Sequence, residues 1–214
     1  ALSLLTFFVL AILLNGPLKN FNPLPLLRNT KDDYYLVMGS SQLDPETFNQ
    51  TSNFAYSEKD ELGRSGQARA TITSKDVFDS MNYRGQFKEG DNPSGYPAKN
   101  FKTRIRTTTG TYDGWFYNRS HLIADSLGGV AESYNAITGT RMQNVGNRSN
   151  TGGMQYIERK CVDYLKKHRS VKLYYQATPY YRGDELIPRT VEVKALTSDG
   201  AINETVITYN TAKG

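Results

Sequence analysis

The scarcity of cysteine and histidine limits what this chain can be built around. Its 214 residues contain one cysteine, Cys161, and two histidines, His121 and His168. A single cysteine excludes a disulfide scaffold and a zinc site made of cysteine pairs, so the fold must be held by a hydrophobic core. Any bound metal must then rely mainly on oxygen ligands, which favours magnesium, calcium or manganese.

The charge of the chain favours a polyanionic partner. There are 26 lysines and arginines against 21 acidic residues, a net charge of +5. The excess is concentrated between Arg141 and Lys194, where eleven basic residues face five acidic ones. Such a stretch suits nucleic acid or an anionic surface, and a simply solvated cationic face is the other interpretation. Because 38% of residues are hydrophobic and 22% are charged, a polytopic membrane protein and a disordered chain are both excluded.

The N-terminus differs in kind from the rest. Residues 1–14 are apolar except for Ser3 and Thr6, and Asn15-Gly16-Pro17 ends the run. The segment is short for a bilayer span but typical of the hydrophobic region of a secretory signal. We therefore predict a hydrophobic export signal or anchor remnant plus linker over residues 1–30, and one folded domain over 31–214. The predicted location is secreted or attached to the extracellular surface, with membrane attachment through this segment; the alternative is a buried helix of the domain itself.

Alternation of polar and apolar residues predicts several strands. The clearest runs are 67–73, 101–107, 171–175, 190–196 and 205–209. Ser198-Asp199-Gly200 predicts a hairpin turn between the last two.

One helix stands out by its periodicity. Met154, Ile157, Cys161, Leu165 and His168 recur at helical spacing after two glycines. The stretch ends in a cationic run, which the helix dipole favours, and this alone explains His168. Glu158 lies beside the apolar stripe, where it is either a first-turn dipole partner or a carboxylate that faces a site.

The other histidine lies in different surroundings. The run 114–124 predicts a strand that ends in a turn, with Arg119 two residues before His121. On a strand these two side chains face the same side, so an imidazole base and a guanidinium clamp can address one phosphate. Amide side chains are dense downstream, at Asn135, Gln143, Asn144, Asn147 and Asn150. The residues alone permit a phosphodiester site, although asparagines are also typical of turns.

These residues resemble a known family. The run 118–122 (Asn-Arg-Ser-His-Leu) is similar to the DRGH-type motif of the DNA/RNA non-specific endonucleases, most closely their streptococcal, streptodornase-like branch. The likeness continues through 127–129, 135–138, Asn144 and 153–158, and covers roughly Tyr56 to Tyr209. The spacing is its most specific part, because His121 precedes Asn144 by 23 residues and Asn144 precedes Glu158 by 14.

The resemblance implies an α+β fold of the ββα-metal class, a central antiparallel sheet with a metal-site helix packed against it. It implies that His121 is the general base and that Asn144 is the one direct protein ligand of Mg²⁺, for which Mn²⁺ can substitute. Glu158 would hold the metal's water molecules, Arg119 would stabilise the charge on phosphorus, and Asn135 would brace the site. We expect the pKa of His121 near or below about 6.5, because Arg119 and the metal disfavour the imidazolium.

The implied activity is hydrolysis of DNA, and also of RNA, without sequence preference. A site that grips phosphate and metal need not touch base edges. Arg64, Arg141 and Arg148 are the candidate backbone contacts, with solvated side chains as the alternative.

Two residues depart from the family motif, with Asn118 in place of its aspartate and Ser120 in place of its glycine. We expect neither to involve His121, Asn144 or Glu158, and therefore expect activity to be retained. Two alternatives stay open: a catalytically inactive nucleic-acid-binding surface protein of the same fold, and an adhesive surface protein that binds anionic polymers.

Overall fold

The computed structural model describes residues 34–48 and 53–211. Its strands are β1 (Tyr35–Gly39), β2 (Phe54–Tyr56), β3 (Ala68–Ile72), β4 (Lys102–Thr107), β5 (Gly110–Trp115), β6 (Tyr117–His121), β7 (Ala136–Thr140), β8 (Leu173–Tyr180), β9 (Thr190–Thr197) and β10 (Asn203–Tyr209). Its α-helices are α1 (Ser74–Asn82), α2 (Arg141–Val145) and α3 (Met154–Lys167). The predicted export segment and its boundary at residue 30 lie outside the described residues. Within those residues, no helix is long and apolar enough to cross a membrane.

A six-stranded antiparallel sheet forms the centre of the fold. Its strand order is β1-β10-β9-β8-β3-β2, and every neighbouring pair is antiparallel. Strands β8, β9 and β10 form a meander, and the predicted turn at residues 198–200 closes its last hairpin, where the Gly200 N–H donates to the Thr197 carbonyl at 2.8 Å. The predicted α+β class and antiparallel sheet are confirmed.

Two smaller two-stranded sheets flank the central one, β4 with β5 and β6 with β7. The single strand predicted over residues 114–124 is wrong, because the chain bends at Phe116 between β5 and β6. The Phe116 N–H donates to the Phe101 carbonyl at 2.9 Å, and the Phe116 carbonyl accepts from the Arg141 N–H at 2.7 Å. Both backbone groups of this residue therefore bond outside the strand ladders, which ends one strand and starts the next.

Helix α3 covers the central sheet with the apolar stripe that the sequence predicts. Met154, Ile157, Cys161 and Leu165 are fully buried in the core that also contains inward-facing residues of β3, β8 and β9. His168 follows the last turn, is exposed, and stacks on Tyr164 with ring centroids 4.1 Å apart. This position agrees with the helix-end interpretation of His168.

Gly146 and Gly153 allow the backbone at the end of α2 and the backbone at the start of α3 to lie in direct contact. Gly146 ends α2 with φ +71°, and a Cβ there would lie 2.3 Å from the Gly152 Cα. Gly153 precedes α3 with φ +55°, and a Cβ there would lie 2.2 Å from the Gln143 carbonyl oxygen. Larger residues would push the two helices apart, so these glycines fix the start of α3 against α2.

We predict that Gly153→Ala destabilises the protein by about 3 kcal/mol, because it adds a backbone clash to the strain of a positive φ. Gly183→Ala is the matched control: its φ is +51° and a Cβ would meet nothing within 4 Å. It should cost only about 1 kcal/mol. Urea unfolding of the two variants measures the difference, and equal losses would show that the α2–α3 approach is not tightly fixed.

Candidate active site

Strand β6 carries the motif residues on two opposite faces. It pairs with β7 from Tyr117 opposite Thr140 to His121 opposite Ala136. Because successive side chains of a strand alternate, Arg119 and His121 face one side while Asn118 and Ser120 face the other.

Arg119 and His121 meet at one aromatic ring. The imidazole of His121 lies 5.0 Å from the ring of Phe87 between centroids, and the Arg119 guanidinium carbon lies 5.2 Å from the centroid of the same ring. The two side chains therefore address one object, as their i, i+2 spacing predicts. The guanidinium also lies over Tyr96 at 5.3 Å, and its Nε donates to the Asn92 side-chain oxygen at 2.8 Å.

The imidazole of His121 is positioned by a ring contact that leaves its Nε2 without a hydrogen bond in the described part of the chain. Its Nε2 is buried and has no hydrogen-bond partner among the described residues. Burial lowers the pKa of His121, and the nearby Asp125 carboxylate partly opposes that lowering. The expected direction of the shift is therefore found. Its cause is desolvation, whereas we had expected the charge of Arg119 and a metal to produce it.

Asn144 lies against the opposite face of β6. Helix α2 begins after Thr140, whose hydroxyl accepts from the Gln143 N–H at 3.0 Å. This cap places the Asn144 amide beside the strand, where its nitrogen donates to the Asn118 side-chain oxygen at 3.1 Å and its oxygen accepts from the Ser120 hydroxyl at 3.2 Å. The expectation that Asn118 and Ser120 do not involve Asn144 is wrong, because both residues bind its carboxamide directly.

Asn135 fastens the loop that follows His121. Its buried side chain accepts from the Ile123 N–H and donates to the Ile123 and Val130 carbonyls, each at 2.9 Å. Its own carbonyl accepts from the Leu122 N–H at 2.8 Å. Two side-chain bonds and one backbone bond thus fix the two residues after His121, and a third side-chain bond ties Val130 to the same amide.

Glu158 is buried on the second turn of α3. It forms no ion pair or side-chain hydrogen bond with the part of the chain that the structure describes, and burial alone raises its pKa to about 8. It lies near Tyr175, whose buried hydroxyl has no partner there either. A buried, unpaired carboxylate favours the site-facing interpretation over a solvated dipole partner.

The donors in this region suit a cation bound by oxygen. Across residues 34–48 and 53–211, no three histidine, cysteine, aspartate or glutamate side chains converge on a point that could hold a metal. One amide ligand supplemented by water does not require such a cluster. The Asn144 oxygen has a second lone pair besides the one that Ser120 uses, and the Glu158 carboxylate has no partner among the described residues, so each suits a hydrated Mg²⁺ by its chemistry.

The three arginines predicted as backbone contacts all have partners within the protein. Arg64 pairs with Asp60 at 2.7 Å and donates to the Gly183 carbonyl at 2.7 Å. Arg141 donates to the Asn150 side chain at 2.6 Å, and Arg148 donates to the Thr111 carbonyl at 3.2 Å. Burial lowers the pKa of Arg141. Their substrate contacts stay predictions.

Sequence reasoning missed the residues that surround Arg119. Phe87, Asn92 and Tyr96 belong to the run 84–100, which forms no regular helix or strand. Such a segment has no periodicity, so only its unusual mixture of aromatic and polar residues could have indicated that it covers a site.

Comparisons with known proteins identify the family and the fold. The model of the DNA/RNA non-specific endonuclease family matches residues 45–199. A Streptococcus dysgalactiae subsp. equisimilis protein named deoxyribonuclease is 37% identical over an alignment of 230 residues that covers 85% of this chain and 69% of the relative. The structure of the Sda1 nuclease with bound zinc ion is 39% identical with a TM-score of 0.80, and the match covers 86% of this chain and 92% of that one. NucA from Streptococcus agalactiae with magnesium bound is 19% identical, with a TM-score of 0.61 over 83% of this chain and 84% of NucA.

The fold is therefore that of the ββα-metal nucleases, as the motif predicts. The chain belongs to the DNA/RNA non-specific endonuclease family and is a hydrolytic endonuclease.

Glu158 gives this site a predictable pH dependence of stability. In the folded protein its pKa is about 8, against an ordinary value of 4.5. Between these values the folded state keeps a proton that the unfolded state releases. The free energy of unfolding should therefore fall as pH rises from about 5 to about 8, by about 1 kcal/mol per pH unit.

Urea unfolding in the presence of a chelator measures this slope, since a nearby cation would favour the carboxylate. Glu158→Gln should remove the slope, whereas Asp163→Asn, an exposed carboxylate on the same helix, should leave it. A slope that survives Glu158→Gln would mean that another group causes it.

Proposed function

We propose that this chain is a Mg²⁺-dependent endonuclease that hydrolyses DNA, and also RNA, without sequence preference. The main support is the unpaired, buried Nε2 of His121, held on the same face of β6 as Arg119. A base must keep a nitrogen free for a proton, and a clamp beside it must reach the same phosphate. The relative named deoxyribonuclease supports DNA as a substrate.

His121 acts in the attack of water on phosphorus. The imidazole removes a proton from the water as its oxygen bonds to phosphorus, and the bond to the 3′ oxygen then breaks with its electron pair on that oxygen. The lowered pKa keeps His121 neutral, and so able to accept a proton, to a lower pH than an ordinary histidine. The contact with Phe87 orients the ring, and its Nε2 has no hydrogen-bond partner among the described residues.

Arg119 stabilises the charge that accumulates on the phosphate oxygens. Among the described residues only its Nε donates a side-chain hydrogen bond, to Asn92. The two terminal nitrogens are therefore available for a bidentate contact with phosphate. The rings of Phe87 and Tyr96 hold the guanidinium in place.

Asn144 and Glu158 would hold the metal, Asn144 through its amide oxygen and Glu158 through metal-bound water. When bound, the ion supplies positive charge to the phosphate and to the leaving oxygen. The zinc ion in the Sda1 nuclease structure supports a divalent cation. We propose magnesium, with manganese as a substitute, because the available donors here are oxygens.

We further propose that the protein acts outside the cytoplasm, secreted or attached to the cell surface. The apolar run of residues 1–14 is typical of an export signal. An unregulated nuclease retained inside a cell would attack the cell's own genome.

The roles of His121 and Asn144 predict different responses to metal. His121→Ala should lose about 10²–10⁴-fold in rate at any magnesium concentration, because the base is absent. Asn144→Ala should recover part of its activity in excess magnesium, because it has lost only a ligand. The measurement is cleavage of plasmid DNA and of RNA across a magnesium titration.

His168→Ala replaces the only other histidine and is the matched control, which should cleave like the wild type. Rescue of His121→Ala but not of Asn144→Ala by magnesium would reverse the assignment. Asp125, which lies near His121, would then be the next candidate base.

The contacts of Asn118 and Ser120 predict that these residues set the metal affinity. Asn118→Asp restores the family's residue and adds a negative charge beside Asn144, so it should strengthen magnesium binding by up to about tenfold. Ser120→Gly removes one of the two bonds that orient the Asn144 amide and should weaken binding by about tenfold. Calorimetric titration with magnesium measures both, with the exposed Ser149→Gly as control. Unchanged affinity in both variants would exclude this role.

A further inference from the structure

The β4–β5 hairpin presents an exposed row of cations. Lys102, Arg104 and Arg106 are exposed on β4, while Ile105 between them is buried. The three side chains therefore share the outer face of the hairpin, which we call the cationic face. Alternate residues of a strand are about 7 Å apart, so the row is about 14 Å long.

The charge of this face is largely uncompensated. Arg104 pairs with Asp113 on the neighbouring strand at 2.9 Å. Lys102 lies over the ring of Trp115, 5.4 Å from its centroid, and Arg106 has no ion pair among the described residues. Like charges on one strand face repel each other, and such a row adds nothing to the stability of the fold. The charges of Lys102 and Arg106 are therefore available to an anionic partner.

The hairpin is fastened to the elements that carry the active site. Ile105 clusters with Met142 of α2, and the guanidinium of Arg141 lies over the Tyr112 ring at 4.8 Å. Arg148, in the loop after α2, donates to the Thr111 carbonyl at 3.2 Å. These contacts hold the cationic face at a fixed position relative to α2.

The base of the hairpin leads directly into β6. Trp115, opposite Lys102, is four residues before Arg119, a separation of at most about 13 Å at strand spacing. A phosphodiester strand held by Arg119 would reach the cationic face within a few nucleotides, since each nucleotide of a duplex advances the strand by about 3.4 Å along the helix axis.

We propose that the cationic face binds the phosphate backbone of the nucleic-acid substrate outside the cleaved bond. This inference rests on the proposed function and adds to it a second binding surface. Lys102 and Arg106 supply the charge, because Arg104 is already paired. Contacts with phosphate carry no sequence information, so this surface strengthens binding equally for all sequences.

The test separates binding by the face from chemistry at the site. Lys102→Ala/Arg106→Ala should raise KM for long duplex DNA about tenfold and leave kcat on a dinucleotide unchanged. In chelator, where no cleavage is expected, the double variant should bind a short DNA duplex with a smaller salt dependence. The slope of log affinity against log salt should fall by about 1.8, or 0.9 for each lost phosphate contact.

A second double variant, Lys166→Ala/Lys167→Ala, matches the change in net charge. Both lysines lie in the last turn of the 14-residue helix α3, about 20 Å from the end that abuts α2. This control should keep the wild-type KM and salt slope. Arg106→Lys keeps a point charge and should also keep the slope.

Trp115 is a direct fluorescent reporter of binding, because it is the only tryptophan in the sequence and is 51% exposed beside Lys102. Its fluorescence should change when DNA is added in chelator. An unchanged emission, together with a KM and salt slope equal to those of the control, would overturn the inference. A loss of dinucleotide turnover in Lys102→Ala/Arg106→Ala would overturn it too, by showing that the hairpin shapes the site. If the wild type cleaved no nucleic acid at all, the proposed function would fail instead.

Discussion

The pairing of β6 with β7 is the constraint on which the site depends. A slip of one residue would exchange the two faces of β6 and bring Asn118 and Ser120 to the side of Phe87. The register is fixed from outside the ladder. The Ser65 hydroxyl lies 2.8 and 2.7 Å from the Ser133 and Ala136 carbonyl oxygens, so its single proton is shared between them or donated to one.

Asn210 performs the same task on the free edge of β7. Its side chain accepts from the Thr140 N–H and donates to the Thr138 carbonyl, both at 2.8 Å. Asn210 directly follows β10, so its side chain connects the β6–β7 sheet to the central sheet. It bonds the backbone groups at the edge of β7 that a third strand would otherwise bond. The position of His121 is thus determined by residues far from it in the chain.

This distance explains what the sequence could and could not predict. Helix α3 and strands β8 to β10 follow from local periodicity, which is visible in a single sequence. The order of His121, Asn144 and Glu158 is recognisable as a spaced motif. The bonds from Asn118 and Ser120 to Asn144 cross 26 and 24 residues, and no local pattern encodes them. The aromatic cover of Arg119 comes from a segment without regular structure and was missed for the same reason.

The site contains buried polar groups without partners in the described part of the chain, and these lower the stability of the fold. The Nε2 of His121 and the Tyr175 hydroxyl are buried without partners among the described residues, and the buried side chain of Glu158 forms no ion pair there. Each costs about 1–3 kcal/mol when left unsatisfied, which a metal ion, water or substrate can offset. The apolar contacts of α3 with the central sheet must cover this cost, so the helix that presents Glu158 is also the one most deeply anchored in the core.

The distribution of basic residues along the sequence differs from the distribution of unpaired positive charge on the surface. The sequence places its basic excess between Arg141 and Lys194, and three of the eleven cations there form ion pairs in the fold. Lys160 pairs with Glu204, Arg189 with Glu185 and Lys194 with Glu192. The hairpin of β4 and β5 lies outside that stretch, and its Lys102 and Arg106 face solvent without an acidic partner among the described residues. A polyanion binds to exposed cations that have no acidic partner. Strand alternation places such cations on one face of the hairpin, while ion pairs neutralise other cations elsewhere in the fold. The cations that a polyanion can meet therefore depend on the ion pairs of the fold as well as on the position of the charges in the chain.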